Sequence, residues 1–558
     1  VLALQGVGGF QLLVNAADRA AVARLRQRKR RPHKPFALLV AELGQLGGRV
    51  APTAAERQAL ADPAAPIVLL SSAPERHGRQ LAGVAPAAPG LGVMLPASPL
   101  HLLLARAFAG PLGAPSGHRR GVPLCTDPAE ALERLAGLAD GVLVHNRPIA
   151  RPLDDSVLQV IDGRPALLRR ARGHAPEPFP LPAVGPTLLA LGSDLKNAPA
   201  LALGDRLWLA PHLGDLADAR CHDHWRRGVA ELLDRHGPQL KALAVDRHPN
   251  YLSHQLAPAL AAAAAVPVVP VAHHRAHGLA VALEHGLLPQ HTGTPLLVLA
   301  LDGLGFGEGP VPLWGCELLR LEPSGGWRRL ASLRPFPLPG GERAVREPRR
   351  SALGLLVAAG ALHHPGAAAV RAAFAPAELE LLEQAIASGC NAPLCSSAGR
   401  LFDAVAAVLA LVAVASHEAQ AGLALQAAAA SAAATAAAAA AAEPGAYPLP
   451  GLDWRPLLAA LLSDSAAGRP VGLMAARFHQ GLAEGLADAA AAAAAAAPPA
   501  AREAAPVALA GGCFQNRLLL EALIAALRRR GLRPVWPERL PANDGGLAAG
   551  QIAALLSR

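Results

Sequence analysis

The chain has 558 residues, a formal net charge of +10 and 52% hydrophobic residues. This length is too great for one hydrophobic core and predicts about three or four compact units of roughly 100 to 200 residues each. The most apolar stretch, residues 404–415, is shorter than the roughly 18 residues that a membrane-spanning helix needs, so no membrane span is expected.

The N-terminal sequence and the cysteines indicate the cellular compartment in which the protein is expected. The first residue is Val, and the opening VLALQGVGGF lacks a basic segment followed by a cleavable apolar core. The six cysteines contain no CxxC pair, which argues against a zinc ribbon or a disulfide framework. We therefore expect part of a longer cytoplasmic protein.

The positive charge suits either nucleic acid or small anions. Arginine is spread over the whole chain and does not gather in patches that alternate with aromatic residues. Small anionic ligands are therefore favoured, and nucleic acid binding is not expected.

Strand-like apolar runs alternate with helix-like segments rich in Ala, Leu and Arg, as in IVLL at 67–70 and LLVLALDG at 296–303. This pattern predicts an α/β protein. The Pro-rich stretch 175–186 predicts an extended linker or a domain boundary. Ala-rich tracts at 427–442 and 489–497, with a Pro-bearing loop at 443–451, predict a helical insertion or linker in the second half.

A dense cationic loop lies near the N-terminus. Lysine occurs only at positions 29, 34, 196 and 241, and Lys29 and Lys34 both lie in the sequence RKRRPHKPF at 28–36. Ammonium and guanidinium groups together suit a polyphosphate. Charge alone leaves a solvated basic turn as the alternative.

The N-terminal segment closely resembles the YrdC-like domain found inside HypF proteins. The resemblance runs through residues 6–40, GVMLPASPLH at 92–101, VHNRPIARPLDDSV at 144–157 and RRARGHAP at 169–176. It implies that the following residues bind ATP, its phosphates or the acyl group: Lys29, Arg31, Lys34, Ser116, Ser156, Arg170 and Arg172. One segment departs from the family, because Pro115-Ser116-Gly117-His118 stands where Thr-Ser-Gly-Asn is usual.

Two histidines suggest a metal site in the second half. His273 and His277 are four residues apart, a spacing that places both imidazoles on one face of a helix. A pair of this kind is also common by chance on a surface. Asp302 and Asp544 begin Gly-containing turns that supply candidate carboxylate ligands, and the GGCFQN turn at 511–516 could bind phosphate or ribose.

The second half resembles the TsaD-like domain of HypF, an actin/Hsp70-type fold of two ribonuclease-H-like lobes. Matching motifs include GSDLKN at 192–197, HHRAH at 273–277, LDGLGFG at 301–307, SSAGRLFDAVAA at 396–407 and GGCFQNRLLLEAL at 511–523. The resemblance implies that one metal ion, iron or zinc, is held by His273, His277, Asp302 and Asp544. It also implies a nucleotide pocket formed by Lys196, Asn197, Gly303, Gly305, Gly511, Gly512 and Asn516.

The resemblance covers nearly the whole chain in order, with a YrdC-like adenylate-forming domain at 1–183 and a TsaD-like transfer domain at 184–558. It implies a carbamoyltransferase that uses carbamoyl phosphate and ATP with Mg²⁺ to form carbamoyladenylate. The carbamoyl group would pass to the C-terminal Cys of HypE for the cyanide ligand of [NiFe] hydrogenase. The acylphosphatase-like domain and zinc fingers of full HypF proteins are not expected in this chain.

Two other functions remain as alternatives. A NodU/TobZ-type O-carbamoyltransferase combines the same two domains in the opposite order, and the order found here favours HypF. A degenerate scaffold that binds its partner without chemistry is the non-enzyme alternative, suggested by Pro115 and His118. Cys221-His222-Asp223-His224 is interpreted as surface and not as a zinc site, because neighbouring helical residues point in different directions.

Overall fold

The computed structural model describes the chain except for residues 72–80, 82, 87, 119–123, 217–218, 237–238, 439–444, 497–504 and 558. The chain forms two compact units. Residues 1–270 and 538–555 form the first, and residues 271–537 and 556–558 form the second. Within the described ranges, no helix is both long and apolar enough to cross a membrane.

A nine-stranded mixed sheet is the centre of the first unit. Its order is β7-β1-β2-β6-β3-β5-β4-β8-β9. The strands are β1 (Leu2–Gln5), β2 (Phe10–Asn15), β3 (Leu38–Leu39), β4 (Ile67–Ser71), β5 (Gly90–Met94), β6 (Leu112–Gly113), β7 (Gly141–Leu143), β8 (Val157–Ile161) and β9 (Arg164–Arg169). Side chains from its strands, such as Phe10, Leu12 and Val93, are fully buried in one apolar core with residues of the neighbouring helices.

A second sheet, of four strands in the order β11-β10-β12-β13, follows in the sequence. Its strands are β10 (Phe179–Ala190), β11 (Ala200–Leu209), β12 (Ala242–Asp246) and β13 (Val268–Val271). The helices up to this point are α1 (Arg19–Lys29), α2 (Ala54–Leu60), α3 (Pro99–Phe108), α4 (Pro128–Arg134), α5 (Ala219–His236) and α6 (Leu252–Ala264). Trp225 of α5 is buried in the core of this part.

The second unit contains a seven-stranded sheet of order β17-β18-β15-β14-β19-β20, with β16 paired to β15. The strands are β14 (Leu296–Phe306), β15 (Leu313–Leu321), β16 (Trp327–Ser332), β17 (Phe336–Pro337), β18 (Leu394–Cys395), β19 (Pro506–Ala510) and β20 (Arg533–Val535). The first seven residues of β14 are all buried, because β15 and β19 cover both its edges. A central strand buried on both faces needs the continuous apolar run seen here.

The second unit has these helices: α7 (His273–Glu284), α8 (Pro289–Thr292), α9 (Glu342–Arg346), α10 (Pro348–Ala358), α11 (Ala368–Ala372), α12 (Pro376–Ser388), α13 (Ala398–Val408), α14 (Gln420–Ala438), α15 (Trp454–Ala466), α16 (Val471–Ala495) and α17 (Arg517–Arg529). The last helix, α18 (Leu547–Leu556), belongs to the first unit apart from its final residue. The Ala-rich tracts belong to α14 and α16, and their remaining residues 439–442 and 497 lie outside the described ranges.

The expectation of an α/β fold is confirmed. Of the two interpretations of residues 175–186, the extended linker is wrong from residue 179 onward, and the domain boundary stays a prediction. Residues 179–190 form the long strand β10, which pairs with β11 and with β12. Phe179 and Leu181 are buried, whereas the three prolines of the strand, Pro180, Pro182 and Pro186, are exposed. Register shifts on both sides of Gly185 accommodate residues that cannot donate ladder hydrogen bonds. A Pro-rich sequence can therefore form a strand when its prolines lie on the outer face.

Asp194 stabilises the start of α6. Its carboxylate accepts hydrogen bonds from the backbone N–H of Leu252 at 2.7 Å and of Ser253 at 3.1 Å, and from the Ser253 hydroxyl at 3.2 Å. The residue before the helix, Tyr251, provides no side-chain cap. Asp194 therefore satisfies N–H groups that a helix N-terminus leaves unpaired.

We expect Asp194→Ala to lower the local opening free energy of α6 by about 1 to 2 kcal/mol, the usual cost of losing a helix cap. Hydrogen exchange of the first-turn amides of α6 measures this energy. Asp205→Ala is the matched control, because Asp205 is 62% exposed and pairs only with Arg206 in the recorded ion pairs. Equal exchange in the two variants would contradict the capping role.

Candidate functional site

The predicted phosphate-binding residue Lys29 is buried at the end of α1. Its Nζ donates hydrogen bonds to the carbonyl oxygens of Ser116 at 2.7 Å and His118 at 2.5 Å. Burial, together with the charges of Arg31 and Lys34, lowers the pKa of Lys29 to about 7. Lys29 therefore anchors the loop that carries Ser116, and an anion bound nearby would favour its charged form.

The other two cations of the loop differ in exposure. Arg31 donates from Nε to the carbonyl of Lys34 at 3.3 Å and from Nη2 to the carbonyl of Pro35. Its guanidinium carbon lies 5.2 Å from the centre of the Phe36 ring. Lys34 is exposed. Arg31 thus shapes the loop, and Lys34 is the member that presents its side chain at the surface.

A cavity of the first unit contains two predicted residues, Ser116 and Arg172. Three further polar residues line it and form a chain of contacts. Arg172 Nη2 donates to Asp155 Oδ1 at 2.7 Å, and Gln11 Nε2 donates to Asp155 Oδ2 at 2.8 Å. His101 Nε2 lies 3.0 Å from Gln11 Oε1. Burial lowers the pKa of His101 despite the opposite effect of Asp155, so its imidazole is neutral near pH 7.

Sequence reasoning missed Gln11, His101 and Asp155. A usable signal was present, because Gln11 follows the Gly-rich sequence GVGG and Asp155 belongs to the DDS sequence at 154–156. Both segments lie in the motifs that carry the family resemblance. The pairing of Asp155 with Arg172 could not be read from the sequence, since it depends on how the two segments pack.

Ser156 and Arg170 both form hydrogen bonds to backbone groups. Ser156 is fully buried, donates to the carbonyl of Arg172 at 2.9 Å and accepts from the N–H of Ala171 at 2.9 Å. Arg170 donates to the carbonyl of Glu177 at 2.5 Å. Both residues hold the segment after β9 in place, and their contact with a nucleotide stays a prediction.

His118 stands where the family usually has Asn. Burial lowers its pKa to about 4, against the effect of Asp154. Its Nε2 lies 3.4 Å from Ser116 Oγ, while its buried Nδ1 finds no hydrogen-bond partner in the described part of the chain. The amide is therefore replaced by a neutral imidazole that can still accept or donate one hydrogen bond.

Three of the four predicted metal ligands converge in the second unit. His273 and His277 begin α7, and Asp302 lies on β14, where the buried run ends. The two His Nε2 atoms are 3.2 Å apart and lie 3.1 and 3.6 Å from Asp302 Oδ2. All three side chains are buried. Their ligand atoms lie within 4.8 Å of one another, close enough to hold one metal ion.

The electrostatics of Asp302 depend on its two histidine partners. Burial alone would raise its pKa, but hydrogen bonds from His273 and His277 outweigh burial and hold the pKa well below the usual range. The backbone N–H of Gly512 also donates to Asp302 Oδ1 at 3.2 Å. Asp302 is therefore an ionised carboxylate that faces two imidazoles, a donor set that suits iron or zinc.

The glycines near Asp302 differ in the space around them. A Cβ at Gly305 would lie 2.5 Å from His274 Cε1 and 2.7 Å from His273 Cδ2, whereas a Cβ at Gly303 would meet no described atom within 4 Å. Gly511 has φ +102°, and a Cβ there would lie 2.2 Å from the carbonyl oxygen of Leu301. Gly305 and Gly511 are required by packing, while Gly303 has open space beside it.

Asn516 caps α17. Its Oδ1 accepts from the N–H of Leu519 at 3.1 Å, and its Nδ2 lies 3.0 Å from His479 Nε2. Burial lowers the pKa of His479 to about 4, so the imidazole is neutral. Asn516 therefore has a structural role as a helix cap, and its contact with a nucleotide stays a prediction.

The remaining predicted residues belong to the first unit. Asn197 is buried and donates from Nδ2 to the carbonyl of Leu191 at 2.8 Å, while the backbone N–H of Lys196 donates to Asp215 Oδ1 at 2.9 Å. Asp544 is buried, and Ser193 Oγ donates to its Oδ2 at 2.9 Å. Lys196 and Asn197 thus lie in one loop whose conformation their own hydrogen bonds maintain.

The surface interpretation of the Cys221 segment is wrong in part. Cys221 lies on α5 and is buried in the hydrophobic core that also contains Trp225 and Val229. His222 Nε2 lies 2.6 Å from the carbonyl of Leu216, which also gives it a structural contact. No group of three metal-ligating residues was found at this segment among the described residues.

Three family matches cover most of the chain. Residues 1–171 match a family described as "Telomere recombination", of the Sua5/YciO/YrdC type. Residues 183–284 match "HypF Kae1-like domain", and residues 298–551 match "Carbamoyltransferase, Kae1-like Domain, second subdomain".

The chain is also similar to curated proteins over its whole length. It is 37% identical to "Carbamoyltransferase HypF" of Synechocystis sp., over 99% of this chain and 71% of that protein. It is 42% identical to the protein of that name from Rhodobacter capsulatus, over 99% of this chain and 70% of that protein. The chain belongs to the HypF carbamoyltransferase family.

A solved structure agrees with this assignment. Full-length HypF in a phosphate- and nucleotide-bound form is 31% identical, with a TM-score of 0.89 over 99% of this chain and 84% of that chain. The predicted fold class is therefore confirmed, and this HypF-family chain is an enzyme of the carbamoyltransferase class. Its division at 183/184 stays a prediction, since compactness groups residues 184–270 with the first unit.

The first site prediction concerns His273. We expect about one transition-metal ion per chain in the parent protein and little in His273→Ala, because the variant loses one of the converging imidazoles. Metal analysis by mass spectrometry measures the stoichiometry. His285→Ala is the control, since His285 Nε2 contacts the carbonyl of Trp536 at 2.7 Å and takes no part in the cluster. Unchanged metal content in His273→Ala would refute the assignment.

The second site prediction compares substitutions at Gly305 and Gly303. Gly305→Ala should weaken metal binding at least about tenfold, because the added methyl group displaces the His273 and His274 imidazoles and mispositions a ligand. Gly303→Ala should leave metal affinity unchanged. Competition with a chelator gives both affinities. Equal affinities would show that the His273 ring does not bind metal in the observed position.

Proposed function

We propose that the chain forms carbamoyladenylate and transfers its carbamoyl group to the C-terminal cysteine of a HypE-type partner in the cytoplasm. Adenylate formation is assigned to residues 1–183 and transfer to residues 184–558. The convergence of His273, His277 and Asp302 in a chain of the HypF family is the observation that carries the proposal. The product thiocarboxamide would serve the cyanide ligand of [NiFe] hydrogenase.

The first reaction joins carbamate, released from carbamoyl phosphate, to the α-phosphate of ATP with loss of pyrophosphate. The cationic loop supports this step, because Lys34 presents an ammonium at the surface while Lys29 and Arg31 fix the loop. Ser116 and Arg172 line the cavity beside it. Cations there would neutralise the triphosphate with its Mg²⁺ and stabilise the charge on the leaving pyrophosphate.

The second reaction transfers the carbamoyl group from the adenylate to sulfur. The partner thiolate attacks the carbamoyl carbon, a C–S bond forms, the bond to the phosphate oxygen breaks and AMP leaves. The turns at Gly303 and Gly511-Gly512, with Asn516, Lys196 and Asn197, are proposed to position the nucleotide so that the carbon is oriented for attack.

The metal ligands are proposed to be His273, His277, Asp302 and Asp544. The residues fit an ion, because two imidazole Nε2 atoms and a carboxylate oxygen converge on one point. A bound iron or zinc would act as a Lewis acid toward the mixed anhydride.

The order of the domains separates this function from the O-carbamoyltransferase alternative. The YrdC-type match occupies residues 1–171, and the Kae1-like matches follow at 183–284 and 298–551. An O-carbamoyltransferase of the NodU/TobZ type has the opposite order. No feature of the described residues favours the non-catalytic scaffold over the enzyme.

We expect Lys34→Ala and Asp544→Ala to affect different steps. Lys34→Ala should weaken adenylate formation by about 1.5 to 3 kcal/mol, the value of a hydrogen bond to a charged group. Asp544→Ala should leave adenylate formation nearly intact and abolish transfer. With the acylphosphatase domain supplied, ATP–pyrophosphate exchange with carbamoyl phosphate and carbamoylation of the partner thiol measure the two steps in parallel.

Lys241→Ala is the control for Lys34→Ala, because Lys241 is also an exposed lysine and lies outside the cationic loop. Equal loss of both activities in a folded Asp544→Ala variant would refute the division of steps. Full retention of both would show that Asp544 is not a functional ligand. Carbamoylation of ribose or sugar hydroxyls in place of the thiol would favour the O-carbamoyltransferase.

A further inference from the structure

A buried ion pair lies on α13 of the second unit, apart from the predicted site residues. Arg400 and Asp403 are one helical turn apart and only 8% and 6% exposed. Arg400 Nη2 lies 3.0 Å from Asp403 Oδ2. Burial raises the pKa of Asp403 to about 6, although Arg400 opposes this effect. Arg400 therefore offsets the effect of burial on its partner only in part.

The guanidinium of Arg400 is only partly used. Its Nε and Nη1 are buried and make no hydrogen bond to any described residue, and Asp403 Oδ2 also lacks a well-oriented hydrogen bond there. Leaving buried donors unpaired is unfavourable, all the more for a charged group. Each unused N–H of this charged group can donate to an oxygen of a phosphate or carboxylate.

The pair lies beside the turns next to Asp302. Ser397, which precedes α13, donates from Oγ to the carbonyl of Asp302 at 3.2 Å and to that of Gly303. The backbone approaches so closely that a Cβ at Gly399 would lie 2.8 Å from Gly303 Cα. The open space at Gly303 is therefore next to the first turn of α13, where backbone N–H groups also favour an anion.

Arg400 also interacts electrostatically with Cys513, in the turn that contains Gly512. Burial raises the pKa of the Cys513 thiol well above its ordinary value, Asp302 adds to this effect, and Arg400 opposes it. Cys513 follows Gly512, whose N–H donates to Asp302. Arg400 thus lies within electrostatic reach of both turns that the proposed function assigns to the nucleotide.

We propose that Arg400 binds a phosphate group of the nucleotide in the second unit, through guanidinium N–H groups that Asp403 does not use. The inference rests on the proposed function, because it names a further residue of the same nucleotide site. Arg400 would donate an unused guanidinium N–H to the phosphate, whose negative charge would complete the charge compensation that Asp403 provides only in part.

Photolabelling with 8-azido-ADP tests this in the full chain. Mass spectrometry of the labelled peptides separates the second unit from the proposed site in residues 1–183. In Arg400→Met, the concentration for half-maximal labelling of the second unit should rise at least about tenfold, since charge-assisted hydrogen bonds are lost. Labelling of residues 1–183 should not change.

Arg328→Met is the matched control, because Arg328 is 58% exposed and lies in the same unit. It should label like the parent protein. Unchanged labelling of the second unit in Arg400→Met would overturn the inference and leave a structural pair completed by water.

If Arg400→Met does not fold, Asp403→Asn provides the second test. Removing the competing carboxylate should tighten labelling of the second unit several-fold, and unchanged or weaker labelling would overturn the inference. Failure of the parent protein to carbamoylate the partner thiol would refute the proposed function. That outcome is distinguishable, because labelling does not depend on transfer.

Discussion

The second unit is organised around one buried carboxylate. Asp302 can remain ionised in an apolar interior only because the imidazoles of His273 and His277 and the N–H of Gly512 replace the water it has lost. This requirement fixes the start of α7, the end of the buried part of β14 and the turn after β19 relative to one another. Gly305 and Gly511 follow from it, since any side chain there would collide with a ring or a carbonyl.

The first unit handles buried charge in another way. Lys29, Arg170 and Arg172 all donate to backbone carbonyls, and Arg172 also pairs with Asp155. Cations used in this manner fix loop conformations before any ligand arrives, which lowers the entropic cost of binding an anion. Lys34, which is exposed on the same loop, can then contribute a positive charge to the binding of that anion.

Two residues of the GSDLKN motif have clear structural roles in the first unit. Ser193 donates to the Asp544 carboxylate, and Asp194 accepts three hydrogen bonds at the start of α6. His118 is a different case, because burial keeps its imidazole neutral in place of an amide. Ser193 and Asp194 thus help to hold their surroundings in place, whereas His118 changes the hydrogen-bonding groups next to Ser116.

The sequence by itself determined the α/β class, the family and the pairing of His273 with His277, because periodicity, motif order and helical spacing are local properties. It also singled out the Lys29 loop from the scarcity of lysine. Only the tertiary structure showed that the Pro-rich segment at 179–190 is a strand, that Gln11, His101 and Asp155 join Arg172, and that Arg400 has unused donors. These features depend on burial and on contacts between residues far apart in the chain, which no local pattern records.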